Sequence, residues 1–126
     1  MPRTVAEARA HAHAYALALP TAFEDHPWGE TVVKVKVGSK PKIFVFLGHA
    51  DDATGAFGIG LKLPVTGLHA LDRADAEPTG YGLGKSGWVS FRFVEIPETA
   101  QMEAWILESF VAVAPKKVGD AARMGR

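Results

Sequence analysis

The stretch TVVKVKVGSKPKIFVFLG, residues 31–48, decides the fold, because it predicts two strands joined by a short turn. In residues 31–37 Val33, Val35 and Val37 alternate with lysines, which is the period of two typical of a half-buried strand. GSKP turns the chain, and KIFVFLG, residues 42–48, predicts the returning strand. We therefore expect an antiparallel hairpin whose lysine side chains face water.

Two further strands are predicted downstream of this hairpin. AFGIGLKLP, residues 56–64, resumes the strand pattern, and WVSFRFVEI, residues 88–96, alternates again. Between them, residues 66–74 predict a short helix, and AEPTGYGLGKSG, residues 76–87, is too rich in glycine and proline for regular structure.

Helices are predicted at both ends of the chain. Thr4 and Glu7 form a capping-box pattern at the start of a helix over residues 4–18, and apolar residues at helical spacing predict another between Pro97 and Ala114. Strands that follow one another through short turns pair antiparallel. The sequence therefore predicts an α+β fold, in which an antiparallel β-sheet of about four strands packs against N- and C-terminal α-helices.

Composition excludes several classes of protein. The chain of 126 residues is 48% hydrophobic, enough for a single domain over residues 1–126, with a flexible basic tail predicted at residues 116–126. Lys plus Arg and Asp plus Glu are 14 each, so any polyanion site must be local. The absence of Cys favours a cytoplasmic location, and no apolar run is long enough for a membrane span. No motif predicts a cofactor.

Candidate metal ligands do not form complete sets in the sequence. On a helix, His11 and His13 point about 200° apart, and we interpret them as solvated side chains. His49, Asp51 and Asp52 share one loop, but their spacing matches no known cation loop. No metal site is predicted.

The segment EDHPWGE, residues 24–30, contains enough acids and imidazole for a general acid–base scheme. Contiguous residues seldom converge on one substrate atom, however, and a structural interpretation explains more. Pro27 restricts His26, Gly29 permits a tight turn, and Trp28 is expected to bury its ring beneath the hairpin. We predict no catalytic residues, and an enzyme is the least supported function.

The first hairpin is a basic ribbon, since four lysines and no acid lie between residues 31 and 50. A β-ribbon can lie in a DNA groove while its cations neutralise phosphates. Lysines on an exposed strand also prevent edge-to-edge aggregation, so a purely structural role is an equal alternative. The candidate nucleic-acid contacts are Lys34, Lys36, Lys40, Lys42, Lys62, Lys85 and Arg92.

Several segments together resemble one known family. EDHPWGETVVKVKVG, KIFVFLG, GIGLKLP, YGLGKSGWVSFRF and LESFVAVAPKK are similar to segments of the MmcQ/YjbR family, in the same order over nearly the whole chain. The resemblance implies a double-wing-like α+β fold and carries a family-level label of DNA-binding protein, without catalytic residues. Members commonly carry a His where this chain has Ser86, so any chemical role of that His is lost here. The matching positions are His26, Pro27, Trp28, Lys34, Lys62, Lys85, Gly87, Trp88 and Lys116.

Three functions remain open at this point. The first is DNA binding through the lysines. The second is binding of a small anionic ligand or regulator in an aromatic cleft. The third is protein interaction or homodimer formation through a strand edge or the terminal helix, and the chain would be a monomer if this hypothesis is wrong. The cleft of the second hypothesis would be lined by His26, Trp28, Tyr81, Lys85 and Trp88.

Overall fold

A computed structural model describes residues 2–80 and 82–125. The strands are β1 (Ala22–Asp25), β2 (Thr31–Val35), β3 (Lys42–Leu47), β4 (Phe57–Lys62), β5 (Ala76–Pro78) and β6 (Trp88–Phe93). The helices are α1 (Val5–Leu17), α2 (Gly67–Ala70), α3 (Thr99–Val113) and α4 (Lys116–Met124), with 3-10 turns at Pro27–Gly29 and Leu83–Ser86. Every strand pairs antiparallel with its neighbours, in the order β1-β2-β3-β4-β6-β5. The predicted α+β class is thereby confirmed.

The helices α1 and α3 pack on one face of the sheet, and α4 packs on α3. Phe57, Ile59 and Leu61 of β4 belong to the core beneath these helices. Because strand side chains alternate between the two faces, Gly58 and Lys62 lie on the opposite face, which we call the open face. The open face is where β4 lacks large apolar side chains.

A β-bulge in β3 shapes the core next to α3. Val33 pairs with Val45 and Lys34 with Ile43, so Phe44 has no partner of its own. The bulged residue turns its ring to the helices, where it meets Phe110 edge-to-face at a centroid distance of 5.0 Å.

The hydroxyl of Ser109 ties this bulge to the neighbouring strand. Ser109 is fully buried in α3. Its Oγ donates to the carbonyl of Phe44 at 2.5 Å and accepts from the backbone N–H of Lys62 at 2.8 Å. One side chain therefore satisfies two backbone groups that the strand ladder leaves free.

The sheet has two more strands than the four predicted, because both edge strands were missed. AFED (β1) and AEP (β5) are too short to show an alternation of polar and apolar residues, and they form by pairing with β2 and β6. The C-terminal segment also differs from prediction. Residues Lys116–Met124 form a helix instead of a flexible tail, and this helix packs on α3 with Ala122 buried in the core and Gly119 beside Val111.

Trp28 is not buried beneath the hairpin, and this expectation was wrong. Its side chain is 96% exposed at the turn between β1 and β2. The backbone of Trp28 has φ of +55°, which is unusual for a bulky residue, and Gly29 follows with φ of +81°. Since β1 folds back onto β2 through this turn, the tip projects beyond the sheet into solvent. Within the described residues, no helix has the length and apolarity needed to cross a membrane.

Candidate functional site

Five of the nominated lysines lie at one end of the sheet. Val35 at the end of β2 pairs with Lys42, so the turn at residues 36–41 lies at this end. Antiparallel β4 reaches the same end at Lys62, which pairs with Trp88, and the turn before Trp88 carries Lys85. We call this set the lysine end, and its members are Lys36, Lys40, Lys42, Lys62 and Lys85.

The lysine end carries no ion pair among the described residues, and this holds for each of its five lysines. The carboxylate of Glu108 keeps its charge, but it is held by the backbone N–H groups of Val65 (2.9 Å) and Thr66 (3.0 Å) and by the Thr66 hydroxyl (2.7 Å), and in the described chain it forms no ion pair with these lysines. The lysine charges are therefore available to an external anion.

The opposite end of the sheet is acidic. At this end an acidic residue is the last residue of β1, others come just before β2 and β5, and others follow β3 and β6. We call this set the acidic end, and its members are Asp25, Glu30, Asp51, Asp52, Asp75 and Glu95. Three of these carboxylates have a cation beside them, since Lys34 pairs with Asp25, Arg73 pairs with Asp75 and the charge of Arg92 acts on Asp51. The acids of this end are therefore partly compensated, whereas the lysine end has no ion pair among the described residues.

Arg92 lies at the acidic end, away from the lysine end. Its backbone N–H donates to the carbonyl of Asp75 at 2.8 Å. Hydrogen bonds from the backbone N–H groups of Thr54 and Ala53 lower the pKa of Asp51, and the charge of Arg92 adds to this effect. The loop with Asp51 is therefore a hydrogen-bonded turn with Arg92 beside it.

Lys34 is also separate from the lysine end. Its Nζ lies 2.6 Å from Oδ2 of Asp25 on the neighbouring strand, and the side chain is only 21% exposed. The hydrogen bond from Lys34 lowers the pKa of Asp25. Lys34 is engaged within the sheet and is a poor candidate for an external anion.

The alternative aromatic cleft is not assembled. His26 and Trp28 lie at the turn between β1 and β2, whereas Lys85 and Trp88 lie at the far end of β6. Strands β3 and β4 intervene, which separates the two groups by about 14 Å across the sheet. Trp88 is 8% exposed, with its ring 5.2 Å from that of Phe46. The fifth nominated residue, Tyr81, lies outside the described residues.

The structure joins α1 to β1 through imidazole–carboxylate contacts that the sequence did not reveal. Nε2 of His13 lies 2.5 Å from Oε1 of Glu24, and Nε2 of His26 lies 2.6 Å from Oε2 of the same carboxylate. The hydrogen bond from His13 lowers the pKa of Glu24, and His26 contributes further.

His11 likewise pairs with a carboxylate, with Nε2 2.6 Å from Oε2 of Glu103 in α3. His11 and His13 diverge as expected, but the interpretation of both as solvated was wrong. Each finds an acid on a different neighbouring element, and the sequence does not show that packing. Among the described residues, no three His, Asp or Glu side chains are arranged to hold a metal ion.

A groove of about 540 Å³ runs along the open face, and sequence analysis missed it as well. Gly58 lies at its floor, while Phe46 and Leu83 contribute apolar walls. The hydroxyls of Thr79 and Ser90, 2.8 Å apart, supply polar groups within it. Other lining residues include Glu30, His49 and Gly60. The only sequence signal was the pair of glycines inside a predicted strand.

This architecture defines a small α+β protein with a polarised antiparallel sheet. The model of the YjbR family matches residues 17–112, so the chain belongs to the YjbR family, and the predicted resemblance is confirmed. The fold is also similar to the crystal structure of protein DR2400 of Deinococcus radiodurans, which is described by a DUF419 domain. That likeness has a TM-score of 0.67 at 23% identity, over 97% of this chain and 86% of that chain. No curated protein matches the sequence.

Proposed function

We propose that this protein binds the phosphate backbone of nucleic acids through its lysine end. The observation that carries the proposal is that lysines from three separate segments, residues 36–42, Lys62 and Lys85, lie together without ion pairs in the described chain. Cations presented in this way replace the counterions condensed on a polyanion. Zero net charge is no objection, because a polyanion at this surface meets the local charge of the lysine end and not the charge of the whole chain.

The proposal predicts how steeply the binding constant falls with salt concentration. Each phosphate neutralised on duplex DNA contributes a slope of about −0.9 to log Kobs against log salt, and on a single strand about −0.7. If all five lysines engage, the slope is therefore about −4.5 on duplex and about −3.5 on a single strand. A protein that uses only Lys34 and Arg92 would give a slope nearer about −2 on duplex.

The test is fluorescence anisotropy of labelled duplex and single-stranded DNA over a series of salt concentrations. Lys40→Ala and Lys85→Ala remove exposed charges from two different segments. We expect each to flatten the slope by about 1 and the pair to be additive. Arg92→Ala is the matched control, since it removes an exposed cation at the acidic end and should leave the slope unchanged.

Two results would overturn the proposal. One is the absence of binding to either nucleic acid at low salt. The other is a slope that responds to Arg92→Ala as strongly as to Lys85→Ala, which would mean that binding follows overall charge and not the lysine end.

A further inference from the structure

Gly58 lies in a central strand, and its backbone conformation does not require a glycine. It pairs with Arg92 in the sheet. Its φ is not positive, and a Cβ there would meet only the carbonyl oxygen of Phe91, at an ordinary 3.5 Å. Glycine weakens a strand interior, where a β-branched residue packs better. Gly60 differs, because the side chain of Phe46 lies over it at 3.4 Å from the position of a Cβ.

The missing side chain at Gly58 keeps the groove of the open face empty. The Phe46 ring and Leu83 flank this space, and the hydroxyls of Thr79 and Ser90 line it. An apolar slot beside peptide groups and hydroxyls suits a flat ring that carries hydrogen-bonding groups on its edge.

Charged side chains lie at both ends of the groove. Strand β4, which forms the floor, ends at Lys62, and the turn that supplies Leu83 continues to Lys85. Lys62 lies about 7 Å along the strand from Gly60 and about 13 Å from Gly58. At the other end, Glu30 and His49 line the groove. Arg92, which pairs with Gly58, also lies on the open face beside this end, and Glu30 is the carboxylate of the groove lining. A ligand whose anionic group reaches Lys62 can therefore offer an N–H donor to Glu30.

We infer that the groove binds one nucleotide unit, with its base between Phe46 and Leu83 and its phosphate directed to Lys62 and Lys85. The carboxylate of Glu30 accepts from an exocyclic amino group of the base, as carboxylates do from cytosine N4. The inference rests on the proposed function and deepens it. Bases in a duplex are paired and stacked, so the groove selects single strands, whereas the lysine end alone contacts either form.

The test compares strands that have the same phosphates but differ in their bases. A labelled 12-nucleotide cytosine strand, an abasic strand of the same length and a duplex are titrated by anisotropy at one low salt concentration. The cytosine strand should bind about tenfold more tightly than the abasic strand, which is the order of one base stacking on an aromatic wall. Gly58→Val fills the groove and should abolish that difference while leaving duplex affinity unchanged.

Matched variants separate the groove from general effects of substitution. Gly80→Val adds the same side chain in open space outside the groove and should preserve the preference for cytosine. Leu83→Ala removes one wall without placing bulk against the sheet, and it serves if Gly58→Val fails to fold. A preference for cytosine that survives both groove variants would overturn the inference.

A second measurement distinguishes a free nucleotide from a unit of a strand. Cytidine 5′-monophosphate and ribose 5-phosphate are titrated while the backbone amide resonances of Gly58 and Ser90 are followed by NMR. If the strands fail to bind but cytidine 5′-monophosphate alone shifts these resonances, the groove stands as a nucleotide site and the proposed function falls. If both strands bind equally well, the groove inference falls and the proposed function stands. If nothing binds, both are overturned.

Discussion

Replacing Ser109 by Ala removes one oxygen atom and leaves two buried backbone groups without partners. The carbonyl of Phe44 loses its donor and the N–H of Lys62 loses its acceptor. Ser109 is fully buried, so water cannot replace the hydroxyl without opening the contact between α3 and the sheet.

The magnitude follows from the two orphaned groups. Each unsatisfied buried group costs about 1–3 kcal/mol, and the better helix propensity of Ala returns about 0.5 kcal/mol. We expect Ser109→Ala to lower the free energy of unfolding by about 3 kcal/mol. With an unfolding entropy of about 0.26 kcal/mol/K for a chain of this length, the melting temperature should fall by about 11 °C.

Urea denaturation and differential scanning calorimetry measure both quantities. Ser90→Ala is the control, because the Ser90 hydroxyl contacts another hydroxyl, that of Thr79, on the half-buried open face. It should lose less than about 1 kcal/mol. If Ser109→Ala loses no more than Ser90→Ala, the hydroxyl bridge between β3 and β4 is not what stabilises the bulge, and the reasoning is refuted.

Three further predictions concern other parts of the molecule. The pKa of Asp25 lies below its usual 3.8 in the folded state, so the Lys34 pair stabilises the fold above that pH, and the contribution is lost as the pH falls through the folded pKa. In Lys34→Met the melting temperature should accordingly fall less steeply as the pH is lowered into the acidic range, and an unchanged fall would contradict this. Trp28→Asn should raise the free energy of urea unfolding by about 0.5–1 kcal/mol, because Asn tolerates positive φ; a loss would mean that the ring packs. Gly55→Ala should lower it by about 2 kcal/mol, since φ is +78° and the Cβ would lie 3.0 Å from the N of Ala6; a neutral result would show that this loop adjusts freely.

Periodicity was sufficient for the long elements and insufficient for the short ones. The alternation of valine and lysine in residues 31–37 and the helical spacing of Met102, Ile106 and Phe110 reflect burial on one side, which a sequence records directly. Strand β1 is half-buried throughout, so its sequence contains no such contrast. The predicted burial of Trp28 failed for a related reason. The hydrophobicity of a side chain predicts burial only where the backbone turns that side chain inward.

The candidate site was only partly predictable because it is a property of topology. The lysine residues could be read from the sequence, but their separation from Arg92 depends on which end of the sheet each strand reaches. Lys34 has the same side chain as Lys36, yet it is neutralised by Asp25 from a strand that was not predicted. The groove could not be predicted from the sequence, because it is formed only where the turn with Leu83 lies beside β4 and β6.

The separation of charge between the two ends of the sheet also determines how copies of this protein meet one another. Near its isoelectric point of about 7.0 each molecule has no net repulsion, but it carries unpaired lysines at one end of the sheet and exposed carboxylates such as Glu30 and Asp52 at the other. Neighbouring molecules therefore attract head to tail, and a Debye length of about 30 Å at 0.01 M salt lets that attraction act across the domain. The solution should salt in: scattering and turbidity rise on dialysis to low ionic strength and disappear when about 0.15 M salt shortens the Debye length to about 8 Å.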